Sequence, residues 1–427
     1  MATPDFIEFT NRKIHPMTTT LSILVSCTSS TEAAALSIAS FTALPSDIEY
    51  EVLIAANSEI LPAVSALINE AAPLLPVRPT ILEITAPADR AHAFNSAASA
   101  AKGDYLFFLE AGTQITTDAI TLLLTYLSSN PATGIAAPLL ICPQSGRVQS
   151  CGTTFTPSLR AQPLFASFPA THPAVTKPRS FQAVPVNGMC MRSSTFKDAG
   201  QFDTKYKTGM EVLELCCAIR NNEQSIDIVP QATLLEPDNT AAVVEDDLSI
   251  DTMRLNDRCK GCFGPDKHRF AQDEGYQFTV SPWLESYMTL TPEREQELNE
   301  QMMESPDPST CLALIIEEPL WQTGYVQLAA YLESTGRFEE ACGIRLLQTF
   351  FFPMLPLYRK LAAVAEAANN DSLLQMANDK LEHIDNQLED IGTLTKKAAG
   401  LANWARKAKE VQLQALYEGW LTDLGLL

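Results

Sequence analysis

The chain has 427 residues and a formal net charge of −21, with 51 acidic and 30 basic side chains. This length accommodates two or three domains, each with its own core. The negative charge repels phosphate backbones and anionic lipid surfaces, so nucleic acid and anionic membranes are not expected partners. No apolar run approaches the roughly 18–20 residues that cross a bilayer, and we expect a cytoplasmic protein without a membrane span.

The first 240 residues show the pattern of an α/β domain. Residues 1–18 are predicted to form an irregular arm, and from 19 to 240 strand-like runs alternate with alanine-rich helical stretches. The predicted strands LSILVS, YEVLIAA, ILEIT and YLFFL are separated by helices predicted near 31–42, 62–71 and 91–101. This alternation is typical of a mostly parallel sheet, with a ligand crevice at the carboxyl ends of the strands.

Residues 241–288 are polar and are predicted to form a loop-rich connection. They contain Cys259, Cys262 and His268, which resemble part of a zinc knuckle. A structural zinc site needs four ligands, and no second cysteine pair follows. The pattern therefore favours two loop thiols, and it leaves open whether Cys259 and Cys262 bind a metal. The other cysteines are widely scattered, as in proteins of a reducing compartment.

Residues 289–427 are predicted to be an all-α domain, because helical periodicity replaces the strand signals. Within this segment one set of residues has the spacing of a tetratricopeptide repeat, namely Tyr325, Leu328, Ala329, Gly336, Ala341 and Pro353. A weaker second copy begins near Leu357. Since roughly three repeats are needed for a stable array, the pattern predicts stacked helix pairs more strongly than a peptide-binding groove.

Five segments of the first half stand in the order found in one enzyme family. They are SILVSCTSS, EVLIAANSE, RAHAFNSAASAAKGDYLFFLEAG, VNGMCMRSSTFKDAGQFDTKYKTGMEVLELCCAIR and VPQATLLE. In this order they resemble the family 2 glycosyltransferases of the GT-A fold, the rhamnosyltransferase-like branch in particular, over about half of the chain. The resemblance implies a Rossmann-like domain that transfers a sugar, with inversion, from a nucleotide-diphosphate donor to a saccharide or protein acceptor.

The resemblance also implies which side chains would form the site. The donor would be bound at Ser26, Cys27, Ala56, Asn57, Asn95 and Glu110. Glu110 would hold Mn²⁺ or Mg²⁺, because a divalent ion neutralises the leaving diphosphate. Glu211 or Glu214, three residues apart on a predicted helix, would remove the proton from the acceptor hydroxyl as general base.

The chain departs from the family pattern at four positions. Ala56 stands where the family has a base-binding aspartate, and Glu110-Ala111-Gly112 lacks the second carboxylate of the metal motif. Val212 replaces the usual catalytic aspartate, and Glu236 replaces the closing histidine. One carboxylate alone holds Mg²⁺ weakly.

Two functions therefore remain open. One is a glycosyltransferase with a rebuilt site. The other is a pseudo-glycosyltransferase that serves as a scaffold and binds a protein partner through its helical domain.

Overall fold

The computed structural model describes residues 20–28, 30–85, 89–237 and 245–423, so the predicted arm at 1–18 lies outside the described residues. The chain forms two compact units. The first comprises Met1–Pro138, Val186–Ile226 and Ala242–Thr252, and the second comprises Leu139–Pro185, Asp227–Ala241 and Met253–Leu427.

The described residues contain fourteen strands, of which the four longest are β12, β2, β6 and β1. In chain order they are β1 (Thr20–Cys27), β2 (Glu49–Asn57), β3 (Thr80–Ile84), β4 (Tyr105–Glu110), β5 (Gln114–Ile115), β6 (Thr133–Ile141), β7 (Val148–Ser150), β8 (Thr153–Phe155), β9 (Ala161–Pro163), β10 (Arg179–Ser180), β11 (Cys190–Arg192), β12 (Ser225–Leu235), β13 (Gln277–Val280) and β14 (Ser286–Thr289).

The same residues contain sixteen α-helices, and eight of them follow β14 without another strand. They are α1 (Thr31–Ser40), α2 (Leu61–Ala71), α3 (Arg90–Ala100), α4 (Ala119–Ser129), α5 (Ser193–Asp198), α6 (Glu211–Asn221), α7 (Glu245–Arg258), α8 (Lys267–Asp273), α9 (Pro292–Glu304), α10 (Pro308–Glu317), α11 (Gln322–Ser334), α12 (Phe338–Phe351), α13 (Leu355–Ala367), α14 (Asp371–Glu389), α15 (Ile391–Ala408) and α16 (Val411–Asp423).

The first unit is built on a mixed sheet. Its strands lie in the order β3-β2-β1-β4-β11, and the beginning of β6 lies beside β11. The four strands β1 to β4 are parallel to one another, whereas β11 is antiparallel to β4. Strands β1 and β4 read as continuous apolar runs because they are buried along almost their whole length. The predicted α/β class with mostly parallel strands is confirmed.

The second unit is mainly helical. Neighbouring helices pack in sequence from α10 to α14, and α15 packs on α16. Trp321, the residue before α11, is fully buried and donates its indole N–H to Asn299 Oδ1 on α9 at 2.9 Å. Gly336 has a φ of +74° between α11 and α12, which is a conformation that suits glycine at a tight helix–helix turn. The predicted C-terminal run of helices is confirmed.

The second unit also contains short strands. β8 pairs with β9, β13 pairs with β14, and β10 pairs with Asp227 and Ile228 near the beginning of β12, all antiparallel. The described part of 241–288, where the sequence predicted loops, holds α7, α8 and most of the β13–β14 hairpin. In the part of the chain that the structure describes, no helix combines the length and the apolar character that a bilayer span requires.

None of the ten cysteines forms a disulfide bond. Nine of them are buried, and Cys262 is partly exposed. Four lie in the first unit, at positions Cys27, Cys190, Cys216 and Cys217, and six lie in the second.

Candidate functional site

Five of the predicted site residues meet at one edge of the sheet of the first unit. Ser26 and Cys27 end β1, Ala56 and Asn57 end β2, and Glu110 ends β4. Ser26 lies opposite Glu110, and Cys27 lies opposite Ala56. The structure thus brings these residues together at the carboxyl ends of parallel strands, where α/β proteins commonly bind ligands.

The thiol at this edge is unsuited to act as a nucleophile. Cys27 is fully buried, and burial raises the pKa of its thiol to about 11. The neutral form therefore predominates at neutral pH, whereas the thiolate is the reactive form of cysteine.

The two predicted donor-binding asparagines bind the protein's own backbone. Asn57 donates from Nδ2 to the carbonyl of Thr28 at 2.9 Å, and its Oδ1 accepts from the amide of Ile60 at 3.0 Å. Asn95, on α3, donates to the carbonyl of Phe202 at 2.8 Å and accepts from the amide of the same residue at 3.1 Å. Each amide group thus fixes a loop beside the strand ends.

Two of the predicted acids are joined by an arginine that the sequence did not single out. Arg90 donates from Nε and Nη2 to Glu211 Oε1 at 2.8 and 2.6 Å. The same guanidinium donates from Nη1 to Glu110 Oε1 at 3.2 Å. The candidate metal ligand and the candidate general base therefore share one internal cation. We call these three side chains the Arg90 cluster.

The members of the Arg90 cluster differ in their access to solvent. The side chain of Glu211 is 4% exposed, against 25% for Arg90 and 34% for Glu110. Burial alone lowers the pKa of Arg90, but attraction to Glu110 and Glu211 outweighs this effect, and the net result is a raised pKa. The guanidinium therefore stays charged at all relevant pH values, and the cluster keeps one excess negative charge.

Neighbouring groups hold the cluster in place. The amide of Glu110 donates to Asn187 Oδ1 at 2.7 Å, which fixes the end of β4. Gly209 precedes α6 with a φ of +90°, and a Cβ at this position would come within 2.7 Å of Arg90 Nη2. Glycine at this position thus lets the backbone approach the guanidinium closely. Glu214 lies one turn beyond Glu211 on α6 and is only partly buried.

The position of Arg90 at the start of a helix is a sequence feature that the sequence interpretation did not use. It is the first residue of α3, where the helix dipole disfavours a cation. The preceding Asp89 caps the helix by accepting from the amide of His92 at 2.9 Å. Burial raises the pKa of Asp89, but hydrogen bonds from His92 and the nearby Lys207 outweigh this and lower it. In the folded protein the contacts with Glu110 and Glu211 compensate for this unfavourable position.

A second missed residue, Asp251 on α7, fixes the loop that leads into α6. Its Oδ2 accepts from the amides of Lys207 and Thr208, each at 2.7 Å, and from the Thr208 hydroxyl at 2.8 Å. Asp251 is 1% exposed. Because this loop also contains Gly209, Asp251 contributes to positioning Glu211 against Arg90.

We expect the Asp251→Ala variant to lose about 2 kcal/mol of unfolding free energy, since it leaves buried donors without an acceptor. Urea denaturation measures this loss. The matched control is Asp257→Ala, which removes an exposed acid from the same helix. Equal stability of the two variants would show that the three hydrogen bonds do not hold the loop.

A depression of about 550 Å³ in the first unit lies away from the Arg90 cluster. Gly103 and Tyr105, at the amino end of β4, line it together with Arg192 and Lys197. Among the described residues, no group of three or more His, Cys, Asp or Glu side chains is arranged to hold a metal ion.

No known protein-family model matches the sequence, and no curated protein matches it either. The resemblance to glycosyltransferases therefore depends on the order of the five segments quoted above and on the α/β fold.

Proposed function

We propose that the first unit is a glycosyltransferase-like domain without metal-dependent transferase activity, and that the protein acts as a scaffold for a protein partner. The Arg90 cluster is the observation that supports this proposal. It joins the acid expected to hold a metal and the acid expected to act as base through one guanidinium.

Sugar transfer from a nucleotide diphosphate needs positive charge at the leaving phosphates and an available base. Arg90 already pairs with two carboxylates, so a diphosphate would add negative charge to a cluster that has an excess of it. A divalent ion at Glu110 would in turn lie beside a guanidinium that repels it. Glu211 is buried, and its Oε1 is already engaged by two hydrogen bonds from Arg90, so this oxygen is not free to contact an acceptor hydroxyl.

The helical region is the part that binds the partner in this proposal, because stacked helix pairs commonly present extended binding surfaces. The net charge of −21 favours a partner with a basic surface, since complementary potentials speed association and orient the two proteins.

A second candidate is a transferase in which Arg90 replaces the metal ion. One observation favours it: the contact to Glu110 is a single 3.2 Å bond, and both side chains retain some exposure. A diphosphate that displaced Glu110 would meet a cation already fixed at the strand ends by Glu211.

A donor screen separates the two candidates. UDP-, dTDP- and GDP-sugars are incubated with the protein in Mn²⁺ and in EDTA, and nucleotide release and calorimetric binding are measured. The scaffold proposal expects neither binding nor release, for the native chain and for Glu110→Gln alike. Nucleotide release in EDTA that is faster for Glu110→Gln than for the native chain would favour the transferase in which Arg90 replaces the metal ion. In this variant Arg90 no longer pairs with a carboxylate at position 110.

Mn²⁺-dependent release by the native chain would contradict both candidates. The variant Glu214→Gln serves as a further control, because this acid is only partly buried and its change perturbs folding less than that of Glu211. Loss of release in Glu214→Gln would assign the base to that residue, whereas partner binding by the scaffold should be unaffected.

A further inference from the structure

The second unit contains a cavity of about 170 Å³ that the proposed function does not use. It is lined by residues 156–162 around β8 and β9, by residues 283–286 at the β13–β14 hairpin, and by side chains of α14 and α15. Most of the lining side chains are polar, and the cavity lies wholly within this unit.

The charge of this cavity is opposite to that of the protein. Three permanent cations line it, Arg160, Lys380 and Lys397, whereas Glu285 is the single lining carboxylate. Glu285 pairs with Lys380 Nζ at 3.1 Å and accepts from the indole N–H of Trp283 at 2.9 Å. In the described part of the chain, Arg160 and Lys397 have no carboxylate within ion-pair distance.

Both burial and a neighbouring cation act on Lys397. Burial and then the neighbouring Arg160 lower the pKa of Lys397. Lys267 does not line the cavity but contacts one of its lining residues, donating from Nζ to Gln162 Oε1 at 2.5 Å; burial lowers its pKa to about 8, although Glu285 acts in the opposite direction. In a chain with 51 acidic residues, the lining of this cavity has a single carboxylate beside three cations, which favours an anionic ligand over a structural role.

We propose that this cavity binds a phosphate group, either as free phosphate or as the monoester of a small molecule. An arginine fork and lysine ammonium groups are the side chains that most often bind phosphate, and a phosphate group carries about 1.5 to 2 negative charges near neutral pH. Two such charges match the excess of the lining cations over Glu285. The hydroxyls of Thr156, Ser158 and Ser286 supply further hydrogen-bond donors.

Calorimetry in a phosphate-free buffer tests this proposal with inorganic phosphate and with glycerol 3-phosphate. We expect Arg160→Gln and Lys397→Gln each to weaken the affinity about tenfold, the effect of one charge-assisted hydrogen bond. Lys396→Gln changes the net charge equally on the neighbouring residue, which is exposed as Lys397 is but does not line the cavity, and should alter the affinity less than about twofold. Tighter binding of the ester identifies a phosphorylated small molecule as the ligand, and equal or weaker binding identifies free phosphate.

A second readout does not depend on the ligand's identity. Without phosphate, Lys397→Gln should melt at the same temperature as the native chain or higher, because the substitution removes like-charge repulsion. The proposal is overturned if neither probe binds at a concentration of about 10 mM, because this concentration is far above the dissociation constants expected of a specific anion site. It is equally overturned if Lys396→Gln weakens binding as much as Lys397→Gln, or if Lys397→Gln melts well below Lys396→Gln.

Discussion

Replacement of Arg90 by methionine is expected to lower the free energy of unfolding by about 3–5 kcal/mol, the cost of leaving one partner of a buried ion pair alone. Glu211, whose side chain is 4% exposed, would lose the two hydrogen bonds that it now accepts and would remain in a buried site without a partner cation. Glu110 would suffer less, since a third of its side chain reaches solvent. Urea denaturation of the purified variant measures the change.

Two further variants make this result specific. Arg78→Met removes an exposed arginine of the same unit and should cost less than about 0.5 kcal/mol. The double variant Arg90→Met/Glu211→Met replaces the buried pair by apolar side chains of similar size and should recover most of the loss. If Arg90→Met is as stable as Arg78→Met, Arg90 does not neutralise Glu211 in the folded protein, and the scaffold proposal loses its main support.

The contribution of Lys267 to stability is expected to increase by about 3 kcal/mol as the pH rises from below 8 to above 10.5. Burial lowers the pKa of Lys267 from 10.5 to about 8, although Glu285 acts in the opposite direction. Between these two values the unfolded chain binds a proton that the folded chain has released, so stability increases with pH. Below pH 8 both states are protonated, and the full cost of burying the charge remains.

Comparison with Lys267→Met isolates this contribution. Burial raises the pKa values of thiols such as Cys27 and Cys151, so the folded protein becomes less stable as these thiols titrate in the unfolded chain above pH 9. This change is opposite in sign to the effect of Lys267. Because these thiols titrate equally in the native chain and in Lys267→Met, their contribution cancels in the difference between the two unfolding free energies. Urea denaturation should show that the unfolding free energy of the native chain, relative to that of Lys267→Met, is larger at pH 10 than at pH 7.5. Parallel pH profiles would mean that Lys267 is hydrated in the folded state.

The sequence predicted the sheet of the first unit well, because buried parallel strands leave long apolar runs such as those of β1 and β4. It also placed Ser26, Cys27, Ala56, Asn57 and Glu110 at strand ends, which the register of β1, β2 and β4 brings together. Element order and local pattern suffice for such conclusions, since neighbouring parallel strands end at the same edge.

What the sequence could not predict were contacts between distant positions. Arg90 and Glu211 are 121 residues apart, and neither residue type indicates its partner. Asn57 and Asn95 are polar residues beside strand ends, a pattern that is the same whether the amide binds a ligand or the protein backbone. Their predicted role in donor binding stays a prediction. The cations around Glu285 were equally hidden, because Arg160, Lys380 and Lys397 come from three separate segments.

The ten free cysteine thiols, nine of which are buried, allow local unfolding to be followed by chemical labelling. An alkylating reagent can modify a shielded sulfur only after the surrounding structure has separated, and each modification adds a fixed mass. Because four of these atoms belong to the first unit and six to the second, peptide masses would report which half of the fold opens first.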